Sequence, residues 1–70
     1  MRNDHRLRAA IRADYVQAKG KLLAAGCPVS DARKKAASFT RRVWREVAEE
    51  KSETGQNRIR AALRAVITGD

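Results

Sequence analysis

Leu22-Leu23-Ala24-Ala25-Gly26-Cys27-Pro28-Val29-Ser30-Asp31 is the stretch on which the reading of the fold turns. Gly26 can adopt the left-handed conformation that ends a helix, Pro28 cannot extend one, and Ser30 is a good first cap for the next. The four residues from Gly26 to Val29 leave room only for a tight helix-to-helix connection. Upstream, Leu7, Ile11, Tyr15, Ala18, Leu22 and Ala25 recur at intervals of three and four, one face of an amphipathic helix. This predicts a first helix over 4–25, capped by Asn3 or Asp4. Gly20 falls inside the pattern without shifting its phase, so the helix is read as continuous, with a close backbone contact as the ordinary reason for a glycine there.

Downstream, Ala36, Phe39, Val43 and Val47 repeat in the same way and predict a second helix over 31–50 with Phe39 at the centre of its buried stripe. Trp44 falls beside that stripe, next to Ala37, Thr40, Arg41 and Ala48, at the border of the core. The run Ser52-Glu53-Thr54-Gly55-Gln56-Asn57 contains no large apolar residue and has turn composition, so a loop is expected. Ile59, Ala62, Leu63, Val66 and Ile67 then predict a short third helix over 57–68, closed by Gly69. Alternation of period two is missing, so the expected fold class is all-α: one small domain over 1–70, a helical hairpin plus a short third helix.

The chain has 70 residues, and 43% of them are hydrophobic. Of those 30 residues 13 are alanine, and only 15 are large apolar or aromatic side chains. A domain of this length buries only about 60% of its unfolded surface, so a core this thin suggests completion by a second copy in a homodimeric bundle. Tyr15, Phe39, Val43, Trp44 and Val47 are the candidate partner or dimer contacts. A single cysteine, Cys27, and a single histidine, His5, cannot supply a metal site or a disulfide framework, and no phosphate loop or nucleophile pair is present. The expectation is therefore no enzyme, no metal and no cofactor. Neither a secretory leader nor an apolar run of membrane-spanning length occurs, so a cytoplasmic protein without membrane association is expected.

Sixteen Lys and Arg against eight Asp and Glu give a net charge of +8. In the second helix the bases Arg33, Lys34, Lys35, Arg41, Arg42 and Arg45 precede the glutamates Glu46, Glu49 and Glu50. That order opposes the helix dipole, at about 0.3–1 kcal/mol per misplaced charge, and a local rule broken without gain points to function. The ordinary alternative is a solvated helix with Arg42–Glu46 and Arg45–Glu49 pairs, which leaves Arg33, Lys34 and Lys35 without acids three or four residues on. Lys34, Ser38, Arg41 and Arg45 follow one another at intervals of four, three and four, a donor row about 16 Å long at 1.5 Å per residue. Arginine forks, a lysine and a hydroxyl suit phosphate and base edges alike. A second row, Arg8, Arg12, Tyr15 and Lys19, sets an aromatic among bases, although Tyr15 also fits the core edge.

The stretch from Leu22 to Ser30 resembles the passage from the first helix of a helix-turn-helix through its glycine turn to the recognition helix. The resemblance implies that the end bearing Arg33, Lys34 and Lys35 meets DNA. At the sixth and ninth positions after the glycine, where that motif carries large apolar residues, this chain has Ala32 and Lys35. Two function classes follow. One is a small regulatory protein that binds nucleic acid, most simply double-stranded DNA, through the first half of the second helix. The other is a helical inhibitor or adaptor, of the kind phages and mobile elements use, that blocks a host regulatory protein through aromatic and arginine anchors.

Overall fold

The computed structural model describes residues 2–69, with side chains from Asp4 onward. Three helices follow in order: α1 (Arg2–Ala24), α2 (Val29–Glu49) and α3 (Glu53–Thr68). No strand occurs among the described residues, and none of their helices is long and apolar enough to cross a membrane. Each helix packs on both others, and the molecule extends 39 × 21 × 15 Å, its long axis close to the length of α1.

The first connection behaves as its composition predicts. Gly26 has φ +98°, and a Schellman pair of hydrogen bonds closes α1: Gly26 N–H donates to Leu23 C=O and Cys27 N–H to Leu22 C=O, both at 3.0 Å. α2 starts two residues earlier than expected. Pro28 holds the cap position with φ −57°, its carbonyl accepts from Ala32 N–H at 2.9 Å, and Ser30 lies within the first turn, so no side chain caps this helix. α1 likewise begins before Asn3 and Asp4.

The expected loop over 52–57 is mostly helix. Ser52 is the cap of α3, its Oγ accepting from Gly55 N–H at 3.3 Å, while Gln56 Nε2 donates to Lys51 C=O at 3.2 Å. Ser, Thr, Asn and Gly are as typical of a helix start as of a turn, because their side chains satisfy or spare the first free N–H groups. Gly55 is needed for closeness: a Cβ there would stand 2.9 Å from Lys51 Cβ.

The largest correction concerns the face of α2. Phe39 is 48% exposed, whereas Ala32, Ala36, Ala37, Thr40 and Ala48 are buried, with Trp44 and Val47 partly buried against them. The buried face thus lies to one side of the Phe39–Val43–Val47 line and takes in the positions beside Trp44. Tyr15 and Ile11 of α1 and Ile59, Leu63 and Val66 of α3 supply the bulk of the core, and alanines let α2 come close enough to touch both. Trp44 is tied inward as well: its Nε1–H donates to Asp14 Oδ2 at 2.9 Å, across 30 residues of sequence.

That hydrogen bond also decides the hairpin geometry. Asp14 stands ten residues before the end of α1 and Trp44 fifteen after the start of α2. At 1.5 Å per residue, helices crossing at right angles would hold these positions about 27 Å apart. The two helices instead run antiparallel side by side, which departs from the crossed arrangement of a helix-turn-helix.

Three substitutions test this packing, read as urea midpoints by circular dichroism at fixed protein concentration. Nothing lies within 4 Å of a Cβ built on Gly20, so the close contact expected there is missing. Gly20→Ala is expected to stabilise by about 1 kcal/mol through helix propensity. Gly26→Ala, at a positive φ, is expected to destabilise by about 1 kcal/mol or more. The Thr40 hydroxyl is buried without a hydrogen-bond partner, so Thr40→Val, nearly the same shape, is expected to stabilise by about 1 kcal/mol or more.

Candidate nucleic-acid interface

The basic residues of α2 divide around the helix according to which neighbour they overlook. Arg41 and Arg45 project toward α3, where Arg60 and Arg64 answer them, one turn apart in each helix. The four guanidinium-bearing side chains line a groove of about 580 Å³ whose floor includes Ala48, Ile59 and Leu63. Glu49 is the one acid on its wall. Around Arg41 this groove adjoins a shallower depression of about 400 Å³ lined by Arg33, Lys34 and Ser38 of α2, Tyr15 of α1 and Ile67 of α3. Six bases against one acid therefore share one continuous edge of the molecule, between α2 and α3.

None of Arg41, Arg45, Arg60 or Arg64 forms an ion pair with an acid among the described residues, and the Arg42–Glu46 and Arg45–Glu49 pairs are likewise not made there. All four arginines are exposed. Like charges gathered over an apolar floor repel one another and offer several donors to any anion that enters. An arginine stem can lie on the floor while its head stays in water, which keeps the fork presented outward.

The row Lys34–Ser38–Arg41–Arg45 thus lies along this edge as its spacing predicts. Lys35 lines a different groove on the far flank of α2, beside Phe39 and Val43, and Arg42 is exposed but lines neither basic depression. Arg8 and Arg12 are exposed on α1 and also stand outside both. Tyr15 is not a stacking platform: it is 2% exposed, and Lys19 Nζ lies 5.5 Å from its ring centroid, covering it with a cation. Of the other expected partner contacts, Phe39 is open, Val43 and Val47 are half-buried, and Trp44 spends its one donor on Asp14. Arg60 and Arg64 are the members that sequence reading passed over. They follow Ile59 and Leu63 by one residue each, so the apolar stripe that placed α3 also carried the signal for its basic flank. Comparison with protein-family models, with characterised proteins and with solved structures returns no match.

If these arginines serve a ligand rather than the fold, neutralising them leaves the fold intact. Arg60→Gln with Arg64→Gln is expected to hold stability within about 0.5 kcal/mol or to raise it, read as the thermal midpoint at low salt. A clear loss of stability would identify them as structural partners instead.

Proposed function

We propose that this chain is a small regulatory protein without enzymatic activity that binds double-stranded DNA through the edge shared by α2 and α3, acting as a homodimer in the cytoplasm. The observation that carries the reading is the groove lined by Arg41, Arg45, Arg60 and Arg64, with no ion pair to them among the described residues. Lys34 extends it along α2 by two further turns. Such a row suits the regular spacing of phosphates along a strand, and Ser38 adds a neutral donor of the kind that positions a backbone. The recognition implied here is a helix edge lying along the nucleic acid rather than an inserted helix end, since the hairpin runs antiparallel. Sequence preference would come from arginine forks that reach base edges and from the shape of the duplex.

The rival reading, a helical inhibitor or adaptor that blocks a regulatory protein, draws on a different observation, the 48% exposure of Phe39 beside Val43. Aromatic anchors of that kind mark protein interfaces. The two readings differ in ionic-strength dependence. With Lys34, Arg41, Arg45, Arg60 and Arg64 each neutralising one phosphate, log affinity for duplex DNA is expected to fall against log salt with a slope near −4.5, from about −0.9 per phosphate. Arg41→Gln with Arg45→Gln is expected to flatten the slope by about 1.8. Fluorescence anisotropy of a labelled duplex over a salt series measures both. A slope near zero, or an unchanged slope in the double variant, would move the assignment to the protein-binding reading.

A further inference from the structure

On the flank of α2 away from the basic edge, α1 and α2 enclose an apolar groove of about 510 Å³ with Leu22, Phe39 and Val43 in its lining. Its rim is polarised along the hairpin. Lys21 and Lys35 stand toward the connection and Asp14 toward the other end. On α2 the row Lys35, Phe39, Val43 continues at helical spacing to the exposed Glu46. One end of the groove is thus cationic and the other anionic.

The register of the hairpin turns this polarity into a symmetry. The Asp14–Trp44 hydrogen bond, with Asp14 and Val43 lining one groove, holds this part of α1 and α2 within about a turn of one level. Midway between Lys21 and Asp14 on α1 lie Gln17 and Ala18; midway between Lys35 and Glu46 on α2 lie Thr40 and Arg41. In antiparallel helices so matched, these two midpoints are level to within about a turn, a difference that long lysine and glutamate side chains span. The geometry points to a second copy of this chain as the occupant of the groove, related by a twofold axis through that level. An axis lying in the contact plane and perpendicular to the helices stacks α1 on α1 and α2 on α2, each pair antiparallel. Lys21 then faces Asp14 of the second copy, Lys35 faces its Glu46, and the two Phe39 rings close over the centre with Val43. Each charge meets its opposite twice, as a self-complementary interface requires. Asp14 retains Oδ1 for this role, its Oδ2 holding the indole.

This surface deepens the proposed reading, and rests on it only in taking the protein to be a homodimer. Phe39 and Arg45 lie about 120° apart around α2 at 3.6 residues per turn, so the dimer leaves the basic edge open. Because the axis keeps α2 over α2, the basic edges of both copies fall on the same side of the assembly, reversed in direction, as a twofold protein meets a duplex.

Sedimentation equilibrium of the full chain over a wide concentration range tests the inference, with circular dichroism as the check on folding. The chain is expected to sediment as a dimer, and Phe39→Asp, at an exposed position, to keep its helicity while raising the dissociation constant about thirtyfold or more. Lys35→Glu and Glu46→Lys are each expected to weaken the dimer several-fold, and the two together to restore it. A monomeric native chain, a Phe39→Asp variant that dimerises normally, or a double variant no better than the single ones would each overturn the proposed face. A monomer that still binds DNA with a steep salt slope refutes this surface and leaves the DNA reading standing. A dimer without salt-dependent DNA binding supports the surface and refutes that reading.

Discussion

Four alanines, at 32, 36, 37 and 48, make the side of α2 that faces the other two helices narrow. Everything else in the molecule follows from that narrowness. With short side chains on α2, Ile11 and Tyr15 from α1 and Leu63 and Val66 from α3 fill the space between the helices, and α2 approaches both partners closely. The same choice leaves Phe39, at the border of that face, open to solvent at 48% exposure. A chain with only 15 large apolar side chains in 70 residues leaves one of its three aromatic side chains outside the core, and this accounts for an open apolar face on an otherwise charged surface.

The rotation of α2 also sorts its charges. Arg41 and Arg45 come to overlook α3, Lys35 overlooks α1, and Arg42 points between. One helix therefore carries two flanks of different character, about 120° apart around its axis. The cationic flank is completed by Arg60 and Arg64, so it exists only when α3 is docked. The apolar flank needs α1 alone. Asp14 of α1 supplies the acid that polarises the apolar groove against Lys21 and Lys35, while Glu49 is the one acid of α2 in the lining of the basic groove.

The helices and their first connection could be read from sequence because strong local rules act there. The spacing of Leu7, Ile11, Tyr15 and Leu22 admits one face, and Gly26 before Pro28 admits one kind of break. The face of α2 resisted reading because periodicity weighted by size favours Phe39 and Val43 over alanine, while packing against two helices rewards close approach. The start of α3 was hidden because Ser52 and Gly55 serve turns and helix caps equally well. Half of the basic groove was legible, as the spacing of Arg41 and Arg45 along one helix. Its other half, Arg60 and Arg64, depended on which flank of α3 meets α2, a tertiary relation that no window of sequence contains.

The two connections are as consequential as the helices they join. Gly26–Pro28 and Glu50–Ser52 link neighbours that pack directly on each other, so most of the contacts that define the fold lie between adjacent segments of chain. Chains of such low contact order reach the native state in microseconds to milliseconds. Only the contact of α3 with α1 spans the whole length, and it closes the largest loop of the three. The basic edge, shared by the adjacent helices α2 and α3, belongs to the local class of contacts and needs only the short Glu50–Ser52 connection to close.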